Sequence, residues 1–151
     1  MEKLCFIASS GGHFEEISKL RIIEESYPSI LITESCPFKT EFCKKQYYLP
    51  QTNRKELFFI IKLIFIFLKA FIILIKEKPE CLITTGALIA YPISMIGKRM
   101  GCRLIYIESF ARVNQASLTG RLLYRHADLF IVQWEDMLKK YPKAVLGGGI
   151  F

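Results

Sequence analysis

Lys3-Leu4-Cys5-Phe6-Ile7-Ala8-Ser9-Ser10-Gly11-Gly12-His13-Phe14 is the stretch whose reading decides the fold. Leu4–Ser9 is an apolar run of strand length. The Ser-Ser-Gly-Gly segment is a turn, and from about Phe14 to Glu25 the apolar residues recur with helical spacing. A strand that passes through a glycine turn into an amphipathic helix opens a strand–helix–strand unit.

Outward from that stretch the alternation continues. Ile30–Thr33 reads as a second strand and Gln46–Leu49 as a weaker third. A long helix follows over about Lys55–Lys76, then a buried strand at Cys81–Thr84 and a helix around Ala90–Met100. Arg103–Glu108 is the next strand. A polar loop, a helix near Leu118–His126, a strand at Leu129–Val132, a short helix near Glu135–Tyr141 and an apolar Ala144–Leu146 complete the chain. Strands alternating with helices predict an α/β Rossmann-like fold: a mostly parallel sheet with helices on both faces. Ligands in such sheets gather at the carboxyl ends of the strands. The loops after strands one, four and five should therefore share one edge.

The 151 residues make one domain, 1–151, with no internal repeat or linker. Hydrophobic residues reach 52% and charged residues 23%, which excludes a disordered tail. The formal charge of +7 suits phosphate-bearing partners such as an anionic membrane surface or a diphosphate substrate, and equally suits a merely lysine-rich proteome. Five cysteines, Cys5, Cys36, Cys43, Cys81 and Cys102, form no metal-spaced cluster with His13 and His126. Reduced, buried thiols are expected, with no metal site. The start of the chain shows no signal-peptide pattern, so a cytoplasmic location is expected.

Leu57–Ile75 departs from ordinary composition: all nineteen residues are Leu, Ile or Phe except Lys62, Lys69 and Ala70. On insertion scales two lysines cost about 2.5–3.5 kcal/mol each while Leu, Ile and Phe return roughly 0.3–0.6 each, so the sum is near balance. Topology weighs against a span, because strands on either side must join one sheet. Lys55, Lys62, Lys69 and Lys76 recur every seven residues, a stripe that drifts only about 20° per repeat. The remaining surface is more apolar than one sheet face can cover. Docking on a membrane surface, with Phe65 and the four lysines facing headgroups and acyl chains, is the main expectation. Burial under neighbouring helices and a true span are the alternatives.

Three loops carry the candidate chemistry. Ser10-Gly11-Gly12-His13 lets backbone N–H groups approach an anion at a helix start, or is simply a tight connection. Thr84-Thr85-Gly86-Ala87, followed by Tyr91-Pro92, repeats the small-and-hydroxyl pattern. Glu108-Ser109-Phe110-Ala111-Arg112-Val113-Asn114-Gln115-Ala116-Ser117 leaves a buried strand with an acid suited to proton abstraction. Structural alternatives are a Glu108 paired to Arg112 or capping the next helix, and Ser117 as the N-cap of that helix.

On these residues, together with Tyr106-Ile107-Glu108-Ser109-Phe110-Ala111-Arg112-Val113 running on to Ser117-Leu118-Thr119-Gly120, the chain resembles a known family. This is the membrane-associated accessory subunit of two-subunit UDP-sugar glycosyltransferases. It is the subunit that serves the dolichol-linked oligosaccharide N-acetylglucosaminyltransferase and, closer still, bacterial capsule and exopolysaccharide synthesis. The likeness extends, more distantly, to the acceptor domain of the peptidoglycan transferase that makes the final lipid-linked precursor. It implies the N-terminal acceptor half of a GT-B glycosyltransferase. The separate UDP-sugar-binding catalytic subunit would be a partner, and the acceptor a polyprenyl-diphosphate-linked sugar such as an undecaprenyl diphosphate saccharide. It implies that Ser10, Gly11, Gly12 and His13 cradle the diphosphate and that Thr85 and Gly86 line the cleft. Arg112 and Asn114 would hold phosphate or sugar. Glu108, with His13, would be catalytic in an inverting transfer, and Ile150 and Phe151 would pack into the partner. Neither a cofactor nor nucleic acid is expected, and the absence of an Asp-x-Asp motif predicts transfer without a metal. The eukaryotic subunit's amino-terminal anchor has no counterpart here, so either the Leu57–Ile75 helix anchors the chain or attachment is weaker and reversible; the expectation is a bacterial protein, peripheral or monotopic, at the cytoplasmic membrane face. The rival readings are a non-catalytic membrane scaffold and a free-standing flavodoxin-like nucleotide-binding protein.

Overall fold

The computed structural model describes residues 1–35, 41–51 and 59–151. Cys36, Lys55 and the start of the Leu57–Ile75 segment, Leu57 and Phe58, lie outside the described residues. The elements are β1 (Leu4–Ala8), α1 (Gly12–Ser18), α2 (Arg21–Ser26), β2 (Ser29–Glu34), β3 (Lys45–Leu49), α3 (Phe59–Glu77), β4 (Cys81–Thr84) and α4 (Ala90–Arg99). They continue with β5 (Arg103–Ile107), α5 (Leu118–Leu123), β6 (Leu129–Val132), a 3-10 helix at Glu135–Lys139 and β7 (Val145–Leu146).

The seven described strands form one sheet in the order β3-β2-β1-β4-β5-β6-β7, every pair parallel. This is the doubly wound order, in which the order of strand addition reverses between β1 and β4 and a crevice opens at their carboxyl ends. Register confirms the shared edge: Ile7 lies opposite Thr84, and Thr84 opposite Tyr106.

Strand alternation divides the core between the faces. Cys5, Ile7, Leu82, Leu104 and Tyr106 point to the face covered by α3, α4 and α5. Phe6, Ala8, Leu31, Ile83 and Ile107 point to the other, where Ile17 of α1 and Phe42 cover them. Cys5, Cys43, Cys81 and Cys102 are free and buried.

The expected first helix is two helices. Lys19 N–H and Leu20 N–H bond to the carbonyls three residues back, so the last turn of α1 tightens, and α2 starts afresh at Arg21. Near the carboxyl end, the expected helix at Glu135–Tyr141 is a single 3-10 segment.

α3 is a run of 19 residues whose inward face carries Ile66, Ala70, Ile73 and Leu74. Its opposite face leaves nine Leu, Ile and Phe side chains exposed, among them Ile60 at 71% and Ile72 at 65%. The lysine row follows the seam between these faces. Lys62 is half-buried, Lys69 donates from Nζ to the carbonyl of Tyr48 at 2.7 Å, and Lys76 is exposed. Lys69 is thus turned to the edge strand β3, next to the buried Ala70 and Ile73. Among the described residues no helix is long and apolar enough to cross a membrane.

Candidate functional site

At the carboxyl edge, β1 runs into Ser9–Gly12. Gly11 sits at φ +85°, in the left-handed region that favours glycine, and its carbonyl starts α1 by accepting from Phe14 and Glu15. The amides of Gly12 and His13 precede the first intrahelical bond and have no partner within α1. Both glycines face open space, so the backbone there is approachable.

The β4 loop lies beneath this one. Thr84 Oγ1 donates to the carbonyl of Ile7 at 2.8 Å, and Thr85 Oγ1 to the carbonyl of His13 at 2.9 Å. Thr85 is fully buried, and its hydroxyl braces the glycine loop instead of facing a cleft. Gly86, at φ +109°, is where the His13 ring rests: a Cβ there would lie 3.4 Å from His13 Cε1 and 3.0 Å from the Tyr106 hydroxyl. Thr85 and Gly86 thus lie directly beneath the glycine loop and the His13 ring.

Glu108 ends β5 at 1% exposure. Its Oε1 accepts from Tyr106 Oη at 3.4 Å and Ser109 N at 3.2 Å; its Oε2 accepts from Tyr141 Oη at 2.8 Å and Ser117 N at 3.3 Å. Burial and the adjacent carboxylate push both tyrosine hydroxyls well above their ordinary range, so they remain donors. Arg112 is exposed and makes no salt bridge to Glu108 among the described residues. A Glu108 open to an acceptor hydroxyl is thus not what the fold presents. The carboxylate knots β5, the start of α5 and Tyr141 together. Ser117 is the N-cap of α5, accepting from Gly120 N at 2.8 Å. Gly120 is compelled by the same knot, since a Cβ would press on Glu108 Oε2 and lie 2.6 Å from the Tyr141 hydroxyl.

Among the described residues, the buried carboxylate that keeps an unsatisfied oxygen is Glu16, which sequence reasoning missed. It is 3% exposed, and its Oε1 accepts from Ser109 Oγ at 3.0 Å and Phe110 N at 2.6 Å. Its Oε2 is buried without a partner, 3.9 Å from His13 Nδ1, which is likewise buried without one. Burial pushes the Glu16 carboxyl above its usual range, while the bonds from Phe110 and Ser109 and the nearby imidazole pull it back. The signal was available: Glu16 follows His13 by three residues, one turn along the same helical face.

Ser10 is half-buried beside the glycines, and Arg112 and Asn114 are exposed on the β5 loop. Ile150 and Phe151, expected to enter a partner, lie against their own chain. Ile150 N donates to Gln133 Oε1 at 2.8 Å, and the Phe151 ring meets that of Phe110 edge-on at 5.3 Å. Phe151 is still 60% exposed. Gln133 and Trp134, also missed, bond the carbonyls of Glu108 and Phe110 and so fix the β5 loop from β6.

Strand order, edge loops and glycine turn together define a Rossmann-like domain of the kind that forms half of a GT-B glycosyltransferase. The solved structures agree. MurG of Acinetobacter baumannii superposes over 90% of this chain and 43% of its own, with TM-score 0.73 at 14% identity. A UDP-N-acetylglucosamine 2-epimerase from Rickettsia bellii does so over 99% and 45%, with TM-score 0.75 at 13% identity. Residues 51–150 match the family model described as oligosaccharide biosynthesis protein Alg14 like, and the chain belongs to that family. Its relatives include the UDP-N-acetylglucosamine transferase subunit ALG14 of Yarrowia lipolytica, 29% identical over 140 residues. That match spans 89% of this chain but only 51% of the relative. The Candida albicans subunit of the same name is 29% identical over 163 residues, covering 93% of this chain and 74% of its own.

Proposed function

We propose that the chain is the acceptor-binding, membrane-recruiting subunit of a glycosyltransferase. In this reading it works at the cytoplasmic face of a membrane. There it presents a polyprenyl-diphosphate-linked saccharide to a separate subunit that holds the UDP-sugar. The observation that carries the reading is the open Gly11-Gly12-His13 loop, on the same sheet edge as the β5 loop that bears the exposed Arg112 and Asn114, in a family whose named relatives are transferase subunits. Amide donors and one guanidinium suit a diphosphate, and His13 suits the hydroxyl beside it. The relatives' name supports UDP-N-acetylglucosamine as donor. Those relatives are eukaryotic and do not speak to capsule synthesis, so the acceptor class proposed is the lipid-linked oligosaccharide in general. Inversion follows if the acceptor oxygen attacks the sugar carbon directly.

The exposed face of α3 supports membrane recruitment. Nine large apolar side chains on one helix are far more than a soluble surface leaves bare, and acyl chains cover them without needing polar partners.

A test is to co-purify the chain with its UDP-sugar-binding partner and to follow transfer of labelled N-acetylglucosamine to a polyprenyl-diphosphate sugar on vesicles. The pair should turn over and the chain alone should not, and His13→Ala should lose about 10²–10⁴-fold. Glu108 favours a second reading, because its burial leaves this chain with one fewer reactive group at the edge. If His13→Ala and Arg112→Ala leave turnover intact while charges on the outer face of α3 abolish it, the chain is a scaffold.

A further inference from the structure

Two buried polar atoms face each other across 3.9 Å with no other partner: His13 Nδ1 and Glu16 Oε2. Each is costly to leave unsatisfied, and their juxtaposition is held from both sides. The His13 ring is seated on Gly86 while Thr85 bonds its carbonyl, and Glu16 is tied to the β5 loop through Ser109 and Phe110. Three loops therefore converge to place one imidazole nitrogen opposite one carboxylate oxygen. The ring is one-third exposed with Nδ1 buried, which leaves Nε2 as the nitrogen turned to solvent.

We infer that Glu16 is the positioning residue of His13: it takes the Nδ1 proton as a hydrogen bond and so keeps Nε2 unprotonated toward the acceptor. This rests on the transferase reading above. A carboxylate on one imidazole nitrogen sets the tautomer and stabilises the imidazolium formed when the other nitrogen takes a proton. In the step so assisted, the acceptor hydroxyl gives its proton to Nε2 as its oxygen bonds the sugar carbon of the donor. The bond from that carbon to the diphosphate breaks, and UDP leaves with the electron pair. The present gap is longer than a hydrogen bond, as such pairs often are before substrate closes the site.

The tautomer of His13 can be read directly from imidazole nitrogen shifts in the intact chain above neutral pH, with the exposed His126 as internal reference. Wild type should show His13 mainly protonated on Nδ1. In Glu16→Gln the side-chain amide donates to Nδ1 instead, and the tautomer should invert while His126 stays unchanged. In the reconstituted pair, Glu16→Gln should lower kcat by about 10²-fold or more with KM within about twofold. A wild-type His13 protonated mainly on Nε2, or a ratio unmoved by Glu16→Gln in the folded protein, overturns the pairing. An inverted tautomer with unchanged kcat overturns instead the role of His13 in transfer. Because the wild-type measurement needs no variant, a misfolded Glu16→Gln does not spare the proposal.

Discussion

α3 and α4 lie side by side on the same face of the sheet, and they meet their surroundings differently. α4 buries Ala90, Ile93, Ser94, Ile96 and Gly97, closes onto Leu82 where Gly97 has no Cβ, and ends in a Lys98–Asp128 ion pair at 2.7 Å. α3 buries one stripe of similar width and leaves a second, equally apolar stripe bare. Hydrophobicity alone would have ranked α3 as the more deeply buried helix. What separates the two is the number of neighbours the topology supplies. α4 has α3 on one flank and α5 on the other, whereas α3 stands beside the edge strand β3. A helix beside a sheet edge can bury only the side it shows to the sheet, and the rest of its apolar surface is left for another phase.

The largest effect that would break this contrast is at the bare stripe of α3. Phe65→Glu with Ile72→Glu should cut binding to phosphatidylcholine–phosphatidylglycerol vesicles by more than about a hundredfold. The basis is that each large apolar side chain is worth roughly 1.5–3 kcal/mol when buried. Chemical denaturation should show a stability change below about 1 kcal/mol, since both side chains are more than half exposed. Vesicle sedimentation that finds no loss would return this face to another partner. Lys69→Gln is the matched control. A lysine facing anionic lipid is worth roughly 1 kcal/mol, or about fivefold. Lys69 is spent on the Tyr48 carbonyl, so vesicle binding should change by less than about twofold.

The inner stripe should respond the other way. Ile93→Ala in α4, fully buried, should cost about 2–5 kcal/mol in urea unfolding, and vesicle binding by the folded fraction should not change. A cost below about 1 kcal/mol would mean that α4 is as loosely covered as the outer side of α3.

A pH effect sharpens how α3 is tied down at its last turn. Burial pushes the Glu77 carboxyl up, but hydrogen bonds from Lys3 at 2.6 Å, from Lys45 and from Tyr47 outweigh it and bring its pKa to about 2. A carboxylate whose folded pKa is depressed stabilises the fold above its ordinary value and loses that contribution as the pH falls through the folded value. Stability should therefore decline between about pH 5 and pH 2, by on the order of 2–3 kcal/mol with partly solvated lysines as partners. Glu77→Gln should be less stable at neutral pH and should lose that part of the acid dependence. Parallel pH profiles for the two proteins would remove Glu77 from this role.

Much of the architecture was legible because its signals are local. The Ser9–Gly12 turn and the runs that form strands and helices each depend on a few adjacent residues, and the shared edge of β1, β4 and β5 followed from parallel topology. The helix split at Lys19–Leu20 was not legible, as neither glycine nor proline marks it. At the site, Gly11, Gly12 and His13 lie between β1 and α1 at the carboxyl edge, as the strand–turn–helix reading expected. Glu108 and Thr85 were read by residue type, which says that an acid or a hydroxyl can react and does not say what already occupies it. Glu16 was passed over for the converse reason. Its sequence neighbours make it one more helix acid, and only the return of Ser109 and Phe110 from more than ninety residues away buries it.

By itself the sequence determined the alternation of strands and helices, the glycine loop at the crevice, the apolar excess of Leu57–Ile75 and the kinship carried by the three loop motifs. All of these are set by near neighbours along the chain. Only the tertiary structure decided which carboxylate is knotted and which keeps an open oxygen, which lysine turns inward, and which stripe of α3 is bare. Those are questions of desolvation and of available partners, and both depend on residues that the fold brings together from distant parts of the chain.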